Sequence, residues 1–194
     1  MNKMIFRINI LIILFSALLF SSCAPSLNSL YKGDYPLTSH RVFSRVSDLS
    51  FKIPEGWYAA EDNEKNIFDI WLVNNEYSAT MGLIPINIDE QTHKNIVENG
   101  LGELLSLSKK FKSLEGADKF EENLSQEFFD YGDLEFASYQ YIDKGKNKNR
   151  AVVFIYKNQP FEFTASCENF AKCDTAFMMN LFNTQNSVLT SLKQ

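Results

Sequence analysis

From Leu49 onward the apolar residues change their period twice, and each change marks a class of element. Phe51 and Ile53 alternate with Ser50 and Lys52, and Pro54-Glu55-Gly56 makes a turn before Trp57 and Tyr58. This predicts two short strands around a tight turn. Ile67 to Val73 is an apolar run rich in β-branched and aromatic residues, and Asn74-Asn75-Glu76 turns it back into Tyr77 to Ile86, a hairpin. After Asp89, a helix N-cap, residues Ile96, Val97, Leu101, Leu104, Leu105 and Phe111 fall on one helical stripe, with Ser108 in its gap. That predicts an amphipathic helix of about six turns ending before Gly116. Gly100 and Gly102 lie inside it at about 1 kcal/mol each relative to Ala, which close approach to a sheet would explain. Strands are then expected over Gln126–Tyr131, Leu134–Asp143, Arg150–Tyr156 and Phe161–Ser166, separated by Gly132-Asp133, a tip at Lys144–Asn149, and Asn158-Gln159-Pro160. Ala151 to Tyr156 is unbroken apolar, as in a central strand covered on both faces. Glu162, Thr164 and Ser166 alternate with Phe161, Phe163 and Ala165 and place a wetter face on the last strand. A second helix starts near Asp174, with Met178, Leu181, Phe182, Val188, Leu189 and Leu192 on its buried stripe and Gln185 a polar interruption. The order predicts an α+β fold, an antiparallel sheet of about six or more strands with helices packed on it.

The first 48 residues follow a different logic. Lys3 and Arg7 form a basic start, Ile8 to Phe20 is apolar apart from Asn9 and Ser16, and Ser21 and Ser22 precede Cys23. A membrane span needs about 20 apolar residues; this run is shorter and ends in small residues, as an export signal does. Phe20-Ser21-Ser22-Cys23 resembles the lipobox of bacterial lipoproteins, with Phe20 where that family favours Leu. The resemblance implies cleavage after residue 22 and acylation of Cys23, which would hold the chain on a lipid bilayer. Ala24, where an inner-membrane retention signal would place Asp, implies the outer membrane, facing the periplasm. Residues 23–48 carry scattered Pro, Ser, Gly and Asn with no apolar period and read as a tether. The alternative is an ordered arm, which Leu30, Tyr31 and Tyr35 would permit. The expected organisation is a signal peptide over 1–22, a tether over 23–48 and one domain over 49–194.

Charge and cysteine usage narrow the classes. Loss of Lys3 and Arg7 with the signal takes the net charge from −5 to −7, against the basic footprint of a nucleic-acid binder. Aromatics are 14% of the chain, mostly phenylalanine, which suits a dense β-rich core. Cys167 and Cys173 are an even pair in an exported protein, and a disulfide is expected. His40 and His93 lack ligands at metal spacing, and His93 with Asp89 falls short of the three or four that zinc wants. No G-x-S-x-G, H-E-x-x-H, P-loop or dinucleotide glycine motif occurs. The acids Glu61, Asp62 and Glu64, and Asp130, Asp133 and Glu135, do not follow EF-hand spacing. No cofactor or metal is expected. Lys144, Lys146, Lys148 and Arg150 form the one basic cluster, a candidate contact patch for anionic headgroups or an acidic partner, or a charged hairpin end that blocks aggregation.

Phe51-Lys52-Ile53-Pro54-Glu55-Gly56-Trp57 is similar to the opening of PsbP-like domains, and the layout of residues 48–192 follows theirs. The resemblance implies an α/β/α sandwich around an antiparallel sheet, used mainly to bind partners. From the residues alone, Pro54-Glu55-Gly56 is a turn and Trp57 a core anchor. Two functional classes remain: a non-catalytic interaction module that binds an envelope protein or component, or a small-ligand binder or enzyme with a pocket between sheet and helices. Histidines are nearly absent and the acids fall in turns, so the titratable convergence that catalysis needs is missing. The interaction module is the expectation, and no enzyme activity is assigned.

Overall fold

The computed structural model describes residues 29–61, 67–115, 117–120, 126–168 and 173–192. Residues 1–28, which carry the expected export signal, Cys23 and the first part of the expected tether, lie outside them.

The chain runs β1 (Leu37–Phe43), β2 (Ser50–Pro54), β3 (Trp57–Ala59), β4 (Ile70–Asn74), β5 (Ala79–Pro85), α1 (Glu90–Asn99), α2 (Leu101–Glu115), β6 (Ala117–Phe120), β7 (Glu127–Tyr131), β8 (Leu134–Asp143), β9 (Lys148–Tyr156), β10 (Gln159–Cys167) and α3 (Thr175–Thr190). Eight strands make one antiparallel sheet in the order β3-β4-β5-β10-β9-β8, with β6 and β7 both against the outer edge of β8. Short turns join most neighbours, so the sheet is antiparallel, as the pattern predicted. β9 lies between β8 and β10 with Ala151 to Phe154 wholly buried, the doubly covered strand read from its apolar run.

Strand parity sends alternate side chains to two different layers. On one face Phe136, Val152, Phe154, Phe161, Phe163, Met81 and Leu72 pack against α3 and against the separate β1–β2 ribbon. Phe51 of β2 stacks on Phe163 at 5.2 Å. On the other face Ala137, Tyr139, Ala151 and Val153 pack against Ile96, Leu104 and Leu105 of α1 and α2. The result is the expected α/β/α sandwich.

Several local expectations change. The turn at Pro54-Glu55-Gly56 does not close a hairpin: β2 pairs with β1 and β3 pairs with β4, so the turn carries the chain from the ribbon into the main sheet. The single six-turn helix is two, because Gly100 adopts φ 77° and ψ −167°, a conformation open to glycine and costly for any other residue. Its N–H closes α1 on the Ile96 carbonyl at 2.7 Å. Val97, assigned to the buried stripe, is exposed, while Ile96, Leu104, Leu105 and Ser108 are buried.

Residues 29–48, read as tether, are an ordered arm. Tyr31 is buried in the α3-side core, and residues 37–43 are β1. The arm is held by side chains the tether reading did not use. Ser29 Oγ and the Leu30 amide donate to Glu127 Oε2 at 2.6 and 3.2 Å. Asn186 Nδ2 donates to Ser29 Oγ and to the Tyr31 carbonyl, and Gln140 Nε2 to the Tyr31 hydroxyl.

Candidate functional site

The two halves of the α1–α2 face of the sheet are dressed differently. α1 and α2 lie over β8 and β9 and reach Glu162 of β10, and a polar network beneath α2 fixes them there. Glu162 is buried, against the expectation of a wetter strand face. Its Oε2 accepts from Ser108 Oγ at 2.5 Å and its Oε1 accepts from Lys112 Nζ and Thr164 Oγ1, each at 2.9 Å. Ser108 has one proton and gives it to the carboxylate, so the Tyr139 hydroxyl, 2.8 Å away, donates to Ser108. Burial and the Glu162 charge push the Tyr139 hydroxyl far above its ordinary pKa. Burial lowers the Lys112 ammonium, but the Glu162 carboxylate overrides that and the net direction is upward. The arrangement holds a neutralised carboxylate, not an activated nucleophile: Ser108 is fully buried and its proton is committed to an acid already paired with lysine.

Beyond the helices, β3, β4 and β5 form on this face an open cleft of about 710 Å³, lined by Tyr58, Trp71, Val73, Tyr77, Thr80 and Glu168. Its walls are positioned by local chemistry. Trp71 is stacked by Phe68, ring centres 5.9 Å apart. Phe68 lies on the strand at Gly82, where a Cβ would sit 2.3 Å from its ring; only glycine leaves that space. Tyr77 is carried on the β4–β5 turn at φ 54°, an unusual value for a bulky residue. Asn74 sustains the turn, accepting from the Ser78 and Ala79 amides at 2.8 and 3.0 Å. Tyr58 and Tyr77 meet edge to face at 6.2 Å, and a hydrogen bond between them raises the Tyr58 hydroxyl above its usual pKa. Thr80 Oγ1 donates to Glu168 Oε1 at 2.8 Å.

The residues singled out in the sequence scatter across the molecule. Lys144 and Lys146 are exposed at the β8–β9 tip and Lys148 is half-buried, but Arg150 does not join them. Arg150 is wholly buried on the α3 face, its guanidinium 4.7, 5.5 and 5.9 Å from the rings of Tyr31, Phe129 and Phe182. Nη1 donates to Gln185 and Asn186, and Nη2 lies 3.6 Å from Glu127. Parity was the missed signal: Arg150 shares its strand face with Val152 and Phe154. Cys167 and Cys173 are disulfide-bonded and tie the end of β10 to the start of α3. His93 Nε2 lies 2.6 Å from the Asn158 carbonyl and fastens α1 to the β9–β10 turn. Among the described residues no group of three or more His, Cys, Asp or Glu converges on a metal site. Alternation assigns Trp71, Tyr139 and Tyr141 alike to core or sheet surface, and of these three aromatic candidates for a cavity wall only Trp71 lines the cleft; Tyr58 and Tyr77 carried no signal, being separated from it in sequence.

Among solved structures the chain is similar to the solution structure of cyanobacterial PsbP (CyanoP) from Synechocystis sp. PCC 6803. The TM-score is 0.51 at 15% identity, covering 89% of this chain and 97% of that one. The chain has the PsbP-like fold. In it, the Phe51–Trp57 segment that carried the sequence resemblance spans β2, the turn and the start of β3. A crystal structure from Bacteroides thetaiotaomicron VPI-5482 matches at TM-score 0.45 and 13% identity, over 82% of this chain and 48% of that one; at that level it adds nothing to the PsbP-like assignment. No protein-family model and no curated protein matches the sequence.

Proposed function

We propose that this protein is an envelope-anchored lipoprotein that acts as a non-catalytic interaction module and presents the β3–β5 cleft to an envelope protein or component. The observation that carries the reading is the placement of arm and cleft. Ser29 to Tyr31 sit on the α3 face beside β7 and β8, and the cleft lies on the opposite face, at the other edge of the sheet. Five strand spacings from β3 to β8 amount to about 24 Å. Ser29 is six residue steps from Cys23, a reach of about 22 Å at most. Acyl chains on Cys23 would therefore hold the arm side close to the bilayer and leave the cleft facing away. A signal ending in Ser-Ser-Cys and an acidic mature chain fit an outer-membrane lipoprotein facing the periplasm.

Anchoring is tested by Cys23→Ser and cell fractionation: the variant leaves the membrane fraction, and membrane retention equal to wild type refutes it. Binding is tested by a photo-crosslinking residue placed in living cells at Tyr77 in the cleft or at Met179 on α3. One envelope component captured repeatedly from Tyr77, and not from Met179, is the expected result. Equal capture from both positions, or none, would remove the cleft from consideration as the binding surface.

A further inference from the structure

We propose that the cleft beside β3 binds a cationic side chain, arginine or lysine, carried on an extended polypeptide of the partner. The inference deepens the reading of the cleft as the partner-binding surface and rests on it. The rings of Tyr58, Trp71 and Tyr77 form the walls, two carboxylates, Glu61 and Glu168, lie at the rim, and no described lining residue is basic. An aromatic wall alone accepts any apolar group, and exposed carboxylates alone attract mobile counter-ions. Together they select a cation, which is drawn to the ring faces by their quadrupole and to the carboxylates by charge. An acidic ligand is repelled, and a neutral apolar one makes no use of Glu61 and Glu168.

The walls are set before any ligand arrives, which lowers the ordering cost of binding. Trp71 is backed by Phe68 on Gly82. Glu168 is fixed through Thr80 and through its own amide, which donates to the Ser78 carbonyl at 2.8 Å. Tyr77 is 71% exposed and held at positive φ, a local cost that the Asn74 turn sustains. The edge of the sheet points to a polypeptide. β3 ends the sheet, with β4 its one neighbour among the described strands, and Tyr58, Ala59 and Ala60 line the cleft. A segment laid along β3 delivers alternate side chains over it. Arginine is the better fit, because its planar guanidinium stacks on rings while it forks to a carboxylate.

Trp71 stands in the cleft wall, so its fluorescence reports occupancy. The full-length chain in detergent is titrated with short blocked peptides identical except for a central arginine, lysine, norleucine or glutamate, and with n-butylguanidinium as the free cation. The arginine and lysine peptides are expected to bind about tenfold tighter than the norleucine peptide, with affinity falling as salt rises. The glutamate peptide does not bind. Glu168→Gln weakens the arginine peptide about tenfold and leaves the norleucine peptide unchanged. Tyr77→Asn, which suits the left-handed backbone while removing the ring, weakens it with no change in the circular dichroism spectrum. Equal binding of the norleucine and arginine peptides overturns the cation selectivity. Free n-butylguanidinium binding as tightly as the arginine peptide overturns the polypeptide as its source. No binding by any probe overturns the proposal, while in-cell capture from Tyr77 still decides the envelope-partner reading separately.

Discussion

Glu127→Gln is the substitution that most directly tests how the arm is held. The variant keeps the shape of the side chain and an oxygen able to accept from Ser29 Oγ and the Leu30 amide. What it removes is the one carboxylate paired with Arg150 among the described residues, 3.6 Å from Nη2. The guanidinium is then left fully buried among the rings of Tyr31, Phe129 and Phe182 and the neutral amides of Gln185 and Asn186. Attraction between unit charges at that distance is about 4–5 kcal/mol at an effective dielectric near 20, and breaking a buried pair on one side typically costs about 3–5 kcal/mol. For a domain of this size each kcal/mol lowers Tm by about 2–4 °C, so a fall of roughly 6–20 °C is expected at neutral pH. Urea unfolding supplies the free energy, and hydrogen exchange at Leu30 and Lys32 shows whether the arm loosens first. The double variant Glu127→Gln, Arg150→Met removes both charges and is expected to regain most of the loss, with a coupling of about 2 kcal/mol or more. If Glu127→Gln costs less than about 0.5 kcal/mol, or if the two losses simply add, the buried pair does not hold the arm.

The network under α2 predicts alkaline sensitivity. In the folded state Tyr139 and Tyr141 hold their protons above the ordinary tyrosine range because of burial and the Glu162 charge, and Lys112 holds its proton longer because Glu162 outweighs burial. Raised folded values contribute stability fully below the unfolded values, near pH 10, and lose it above them, at about 1.4 kcal/mol per pH unit per group or about 4 for the three together. Tyrosinate absorbance should show Tyr139 and Tyr141 ionising only as the fold is lost; their smooth titration in intact protein would contradict the geometry. Gly82→Ala should displace the Phe68 ring, cost about 1–3 kcal/mol, shift Trp71 fluorescence and weaken cleft binding, and an unshifted spectrum would mean that Phe68 does not position Trp71. Reducing the Cys167–Cys173 bond should lower stability by about 2 kcal/mol, given the six-residue separation; intact mass without reductant should show both thiols blocked, and two alkylatable thiols in the unreduced protein would be the contrary result.

What the sequence determined by itself was decided by local periodicity and turn chemistry. Alternation and turn residues marked Leu134–Asp143 to its ends, the unbroken run at Ala151–Tyr156 marked the central strand, and Asp89 and Asp174 cap α1 and α3 through the Thr92 and Phe177 amides. These features need only neighbours within one element, so one sequence displays them. Partnership across the fold was decided elsewhere. Leu37–Phe43 has no alternating apolar pattern and becomes a strand because β2 lies beside it and α3 beneath. Gln185, an interruption on its own stripe, is required once Arg150 is buried opposite it. Arg150 and Glu162 look like solvent-facing charges until Glu127 and Lys112, distant in sequence, supply the opposite charge in place. The cleft draws its walls from β3, β4, β5 and the end of β10, segments distant in sequence that only strand pairing brings side by side. A burial cost is charged to a side chain where it stands, but the group that offsets it comes from another part of the chain, and only the tertiary structure brings the two together.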